Sequence, residues 1–133
     1  MKLTRRSEYA LLALVHLART KGKGYVAVAA MAEAQDLPPK FLEQLLMTLK
    51  RGGLVKSQKG PHGGYRLARP ANEISLAQVI RLLDGALAPT ESVSTYFYAS
   101  TPVEREKRLV KVFKEIRDIV SAKLERTTLA DVS

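Results

Sequence analysis

The 133-residue sequence contains no cysteine and only two histidines. Without thiols there is no disulfide, no thiolate-bound metal and none of the usual ligands of an iron-sulfur cluster. His16 stands in an apolar stretch where nothing nearby in sequence completes a metal site, so a satisfied, partly buried imidazole is expected there. No Ser/His/Asp set or carboxylate pair has an arrangement that suggests a catalytic cleft, which disfavours an enzyme. Long unbroken apolar runs are also missing. The nearest is the N-terminal MKLTRRSEYALLALVHLA, where basic residues precede apolar ones as in a signal peptide. Glu8 and His16 interrupt it, and no small-residue cleavage site precedes Arg19. It reads as a buried helix, and with no membrane span elsewhere the expected location is the cytoplasm, without a membrane partner.

Acidic residues are scarce in one half only. Residues 1–69 hold 13 basic side chains against 4 acidic, whereas residues 70–133 hold 9 of each, so the whole formal excess of +9 lies in the first half. A basic surface serving solubility would not divide in this way; a localised excess points to a polyanion, nucleic acid ahead of an acidic membrane surface. With 46% hydrophobic residues the chain can build one cored unit with a modest extension.

Thr4 is a good N-cap for a first helix to about Ala18, apolar on nearly every side and therefore packed on several. Residues 21–24 form a loop, Tyr25-Val26-Ala27 a short extended piece, and a small alanine-rich helix runs from about Val28 to Gln35. Ala32, Asp36, Leu42 and Leu45 then have the spacing of a helix-turn-helix: a small residue lets the second helix approach, a turn residue tolerates the left-handed conformation, and two apolar positions close the pair. Pro38 and Pro39 suit a turn and a helix start.

On the second helix of this pair Leu42, Leu45, Leu46 and Leu49 mark the core face, and Lys40, Glu43, Gln44, Met47 and Arg51 the opposite one. A solvated face would carry similar residues. Beside a basic neighbour they become candidates for reading bases, since Lys can donate to guanine, Gln can pair with adenine and Glu can accept from cytosine N4. Two glycines end the helix, and LVKSQ and YRLAR follow as strands around Lys59-Gly60-Pro61-His62-Gly63-Gly64, a hairpin with a glycine-rich tip. Lys50, Arg51, Lys56, Lys59, Arg66 and Arg69 add positive charge with no acid between them. Glycines at the tip allow positive φ and close approach to phosphates or a minor groove, from which Lys59 and His62 extend; His62 serves equally as a turn residue. A nucleotide-binding glycine loop is excluded by context, because such loops lead into a helix.

Ser75 and Gln78 form a capping box for a helix ending at Gly85, with Leu76, Val79, Ile80 and Leu83 as its buried stripe. Residues 86–100 are irregular; Tyr96, Phe97 and Tyr98 are expected to pack under the next helix rather than line a ligand pocket. Thr101-Pro102-Val103-Glu104 then predicts a helix start and a helix to about Arg126, roughly 37 Å at about 1.5 Å per residue. Leu109, Val112, Phe113, Ile116, Ile119, Val120 and Leu124 form one stripe along it, while Glu104–Arg108, Lys111–Glu115 and Lys114–Asp118 are i,i+4 pairs on its wet side. A stripe this long exceeds one small core, so pairing with the same helix of a second chain is expected over folding back on its own.

Several segments resemble a known family. LTRRSEYALLAL (3–14), FLEQLL (41–46), GLVKSQKGPHGGYRLARP (53–70) and ISLAQVIRLLDG (74–85) are similar to the IscR, NsrR and CymR (Rrf-type) family of bacterial winged helix-turn-helix regulators, the wing being the most specific part. The resemblance implies a mainly α fold with a small β-hairpin, a winged helix-turn-helix head over residues 1–85, an effector or partner loop over 86–101, and a dimerisation helix with a C-terminal tail over 102–133. It implies a homodimer on a pseudo-palindromic DNA operator, with contacts from Glu43, Gln44, Ser57 and the wing from Lys59 through Gly60, His62, Gly63 and Gly64 to Tyr65. Family members commonly have Arg at the position of Lys59, whose stronger hydration suits a narrow minor groove less well. Cluster-binding members carry three cysteines in the region of residues 87–101, and this chain has none, so the resemblance is to a cysteine-free branch without a cofactor. The expectation is a DNA-binding repressor controlled by a small effector or a partner protein. The alternative is a protein-interaction module that keeps the fold and has lost DNA binding.

Overall fold

A computed structural model describes residues 1–20 and 24–133; of the loop expected at 21–24, residues 21–23 lie outside the described part. The elements are α1 (Arg5–Arg19), α2 (Val28–Gln35), α3 (Pro39–Arg51), β1 (Val55–Gln58), β2 (Gly64–Leu67), α4 (Leu76–Asp84), α5 (Lys107–Arg126) and α6 (Leu129–Val132), with 3-10 turns at Ala71–Glu73, Glu91–Val93 and Pro102–Arg105.

The first helix is the post of the molecule. Its Ala10, Ala13, Leu14, Leu17 and Ala18 are buried, and α2, α3, α4, α6 and β2 all pack against it. Small residues alternating with leucine let neighbours approach from several sides, as the near-continuous apolar run predicts. Its start is fixed twice. The Thr4 hydroxyl caps Ser7 N–H at 3.2 Å, and the carboxylate of Asp84, at the end of α4, accepts from Ser7 Oγ at 2.7 Å, from Thr4 N–H at 3.2 Å and from the Thr4 hydroxyl. Burial opposes the charged form of Asp84, but the hydroxyl bonds from Thr4 and Ser7, the Thr4 N–H and the charge of Arg6 outweigh it and hold the carboxyl below its ordinary value.

The α2–α3 turn forms as its spacing predicts. Asp36 has φ 53 and ψ 55, the left-handed conformation, and Leu37 N–H donates to Ala32 O at 2.8 Å. Leu42, Leu45, Leu46 and Leu49 on α3 are each at most 1% exposed. After α3 the chain reverses through an antiparallel hairpin in which Val55 faces Leu67, Lys56 faces Arg66, Ser57 faces Tyr65 and Gln58 faces Gly64. Val26 adds a third strand position, exchanging both backbone hydrogen bonds with Tyr65 at 2.8 Å. This closeness explains two glycines. A Cβ on Gly64, where φ is +145, would lie 2.0 Å from Val26 O, and one on Gly63 would lie 2.1 Å from Gln58 O.

The long helix is shorter than expected. The Thr101–Glu104 capping box forms, but it opens a 3-10 turn, and Glu106 is extended (φ −122, ψ 103) before α5 begins at Lys107. The turn is held against the preceding loop: Thr101 Oγ1 lies 2.6 Å from Ser92 Oγ and 3.1 Å from Thr90 Oγ1. Glu104 accepts from Thr101 N–H at 3.0 Å and from Tyr98 Oη at 2.8 Å, which directs the turn away from a continuous helix. The remaining 20 residues span about 30 Å. None of the three expected i,i+4 ion pairs closes among the described residues; Asp118 takes Arg117 at 2.8 Å, and Glu125 takes Arg81 from α4.

The C-terminal tail returns to the head. Thr128 caps a short final helix through a reciprocal box with Asp131, Leu129 N–H donates to Ile74 O and Leu76 N–H to Thr127 O, both at 2.9 Å. Leu129 is 0% exposed within the same core as Leu14, Leu46 and Ile74. A second, smaller cluster of Ala77, Ile80 and Leu87 takes Leu124 of α5 on the other side of α4. Truncating Leu129 to Ala is therefore expected to lower head stability by about 2–5 kcal/mol in urea unfolding, the range for emptying a core leucine site; a change within error would place the tail outside the core. Asp84→Asn is expected to cost roughly 1–2 kcal/mol at neutral pH. Because the folded carboxyl is held below its unfolded value of about 3.9, the wild-type advantage is full above that pH and is lost as pH falls through the lowered value. Paired urea curves at pH 7 and pH 3 check this, with an undiminished advantage at pH 3 as the contrary result.

Candidate nucleic-acid interface

The leucine face of α3 is locked in the core, so its opposite face is presented rigidly. Lys40, Glu43, Gln44, Met47 and Arg51 are all exposed, and among the described residues no carboxylate lies in ion-pair range of Lys40, Arg51 or Lys59. The polar groups that would read bases thus carry no intramolecular ion pair to break. In the last turn of α3, Lys50 Nζ donates to Ser57 Oγ at 2.7 Å, tying the helix to β1.

The wing residues fall into two groups. Lys59, Gly60 and His62 are exposed at the tip, where a side chain on Gly60 would meet nothing within 4 Å. Gly63, Gly64 and Tyr65 instead build the hairpin: the two glycines sit against backbone carbonyls, and Tyr65 pairs with Val26 while its ring packs on the core. Ser57 is half-buried opposite Tyr65 and engaged by Lys50.

Several neighbours of this surface are absent from the sequence-based set. Arg6 of α1 borders a groove of about 420 Å³ with Phe41, Gln44, Thr48 and Arg51, and the Tyr9 ring meets Phe41 edge-on at 5.6 Å, so the first helix flanks the presented face. No pattern along the chain announces that contact. Lys56 and Arg66 emerge on the outer face of the hairpin, and Arg66 lies 4.8 Å above the Tyr25 ring; both stand in the basic run, but only the strand register shows that they are opposite.

Along α5 the apolar stripe is divided lengthwise. Phe113, Val120 and Leu124 are half-buried, whereas Leu109, Val112, Ile116 and Ile119 are 47%, 49%, 40% and 71% exposed. The loop before it is organised by hydroxyls and by Arg117, which donates to Val93 O at 2.9 Å. The aromatic trio does not pack under α5 as expected: Tyr96, Phe97 and Tyr98 are 70%, 44% and 61% exposed, while the buried Val93 of the same loop accepts from Arg117 of α5. Arg81 instead stacks 4.9 Å from the Tyr96 ring. The Tyr98 hydroxyl, bonded to Glu104, is raised above its ordinary value, and Glu104 is lowered by the same bond.

No helix among the described residues is long and apolar enough to cross a membrane. The Rrf2 family model, described as iron-dependent transcriptional regulators, matches residues 3–133. The chain is 33% identical to the helix-turn-helix-type transcriptional regulator CymR of Bacillus subtilis, over 100% of this chain and 90% of that protein. It is 41% identical to the regulator IscR of Cereibacter sphaeroides over 63% of this chain and 56% of that one. Among solved structures, CymR, the global cysteine regulator of B. subtilis, superposes with a TM-score of 0.81 at 32% identity, covering 99% of this chain and 95% of the other. IscR of T. potens gives 0.69 at 32% identity, covering 99% and 85%.

The donor set does not fit the iron of that description. The chain has no cysteine, and the described residues contain no cluster of three or more His, Cys, Asp or Glu able to hold a metal ion. In the loop before α5, Ser92 and Thr101 bond to each other, and Glu104 is already engaged by Thr101 and Tyr98. The fold is a winged helix-turn-helix followed by a long C-terminal helix, its relatives are regulators rather than enzymes, and the chain belongs to the Rrf2 family of DNA-binding transcriptional regulators.

Proposed function

We propose that this regulator acts as a homodimeric, sequence-specific repressor that binds a pseudo-palindromic operator without an iron-sulfur cluster. The observation that carries the reading is the exposed face of α3, where Lys40, Glu43 and Gln44 stand on a helix whose other face is fixed by four buried leucines. A major groove admits such a helix, and these side chains match the donor and acceptor patterns of its base pairs. Arg51, Lys50 and Ser57 lie along the backbone side, and Lys59 and His62 extend the wing toward the adjacent minor groove. Tyr65, Gly63 and Gly64 set the position of that wing.

Pairing is supported by the uncovered line of Leu109, Val112, Ile116 and Ile119. Its spacing of three and four residues makes one continuous apolar edge, with Phe113 and Val120 continuing it toward the chain's own core. A second copy of α5 covers this edge with the same residues, as a two-fold interface requires, and sets the separation of two heads on successive turns of DNA. Repression by occlusion needs nothing beyond the heads and this pairing helix. The loop 86–101 is the proposed receiver for a small effector or a partner protein, since it contacts α5 through Arg117 and so bears on the dimer.

Selection of bound duplexes from a random pool should return two half-sites about one helical turn, or a multiple of it, apart. Glu43→Ala and Gln44→Ala should each relax preference at a particular base pair by about 1–3 kcal/mol while leaving non-specific affinity in place; unaltered preference would remove both from the groove. Lys59→Ala should weaken binding to all sequences and reduce the slope of log affinity against log salt by about one, an unchanged slope arguing against a DNA contact there. Absence of salt-dependent binding altogether would favour an interaction module with DNA binding lost. Ile116→Asp or Ile119→Asp, at exposed positions that the monomer does not need, should convert a dimer to a monomer in sedimentation velocity. A dimer unaffected by both would mean that α5 is not the pairing surface.

A further inference from the structure

The β1–β2 register sets Lys56 directly opposite Arg66, and both are exposed. Like charges facing each other across a two-stranded ladder destabilise it, and Arg66 is held in place over Tyr25 rather than turned away. Arg69 follows, with Gln78 Oε1 as its partner at 3.5 Å. These three cations border a cavity of about 570 Å³ at the base of the wing, within the range of roughly 300–1,000 Å³ typical of small-ligand sites. Among the described residues no carboxylate lines it, and none lies within ion-pair distance of the three cations. The nearby Asp131 is turned to its own cap at Thr128. The rest of the lining is largely apolar, with Leu17 from α1, Leu67 from β2 and Ala130 from the returning tail.

We propose that this cavity binds a small organic anion, its phosphate or carboxylate held by Lys56, Arg66 and Arg69 and its short apolar body laid against Leu17, Leu67 and Ala130. A DNA phosphate has the same charge chemistry but brings no apolar body, so it leaves the apolar lining unused; the free organic anion satisfies both halves of the site. The cavity joins the base of the wing to the tail that follows α5. An occupant therefore ties the element that enters DNA to the element that sets the dimer. This regulatory consequence rests on the DNA-binding function proposed above; the binding site itself does not.

The test uses the full-length protein without DNA, so a failure of operator binding cannot mask the result. Phenyl phosphate is titrated at constant ionic strength and followed by two-dimensional amide NMR, with inorganic phosphate as the charge-only control. Saturable shifts are expected around Lys56, residues 66–71 and Ala130, with phenyl phosphate roughly tenfold tighter than inorganic phosphate. Lys56→Gln and Arg69→Gln should each weaken phenyl phosphate roughly tenfold. Ala130→Leu, which fills the apolar end without changing charge, should remove the preference for the phenyl compound. No saturation, equal affinity for the two probes, or indifference to all three variants overturns the proposal. So does a result in which these amides respond to a selected DNA duplex but not to phenyl phosphate, which would assign the cations to the DNA backbone.

Discussion

The structure depends on one helix that packs on most of its sides. Because α1 is apolar over most of its surface, most of it must be covered, and α2, α3, α4, β2 and α6 pack on it, leaving Glu8 and Leu12 on an exposed line. Its two ends are then constrained differently. At the start, Thr4 and Ser7 are tied to the Asp84 carboxylate, which fixes α4 relative to α1. Towards the other end, Leu17 lies in the same core as Leu129 of the tail. The α3 leucines complete the enclosure, and the price of burying them is that every polar residue of α3 must face outward together. Presentation of Lys40, Glu43 and Gln44 is thus a consequence of core packing.

The wing follows a similar rule. Its tip carries the charge, but its position is set by residues with other duties: Val26 pairs with Tyr65, the Tyr65 ring rests on the core, and Gly63 and Gly64 allow backbone contacts that any Cβ would block. A glycine-rich tip reads in the sequence as freedom to approach a ligand. At Gly63 and Gly64 the approach is intramolecular, to Gln58 O and Val26 O, whereas Gly60 at the tip has open space around it. One string of residues cannot distinguish these cases, because both demand the absence of a side chain.

What was legible in the chain was whatever depends on local period and local caps. The leucine spacing of α3, the left-handed Asp36 and the Ser75–Gln78 box all appear as their patterns require. The Thr101 box also formed, yet it opened a 3-10 turn, since the same four residues cap either kind of first turn and the hydroxyls of Thr90 and Ser92 decide between them. Periodicity could not show that the α5 stripe has two halves, because it adds the surface buried on one's own chain to the surface left for another. The tail is expected after the long helix, and Thr128-Leu129-Ala130-Asp131 carries a capping-box signal for its final helix; what the signal lacks is the long-range fact that Leu129 enters a core begun more than a hundred residues earlier.

That tail changes how the long helix should be understood. A helix attached at one end can swing without disturbing the head, but α5 is attached at several places along its length. Arg117 holds it to the loop through Val93 O, Leu124 holds it to α4, and Leu129 anchors the segment after it within the head core. Movement of α5 therefore has to repack α4 or withdraw Leu129, and both of those elements pack on α1. The loop before α5 is satisfied by its own hydroxyl and carboxylate bonds, so any rearrangement that starts there has to break those contacts, whereas one that starts at the tail does not. The second route is shorter, because Ala130 and the base of the wing line one cavity, so the tail meets the wing there without α5 between them.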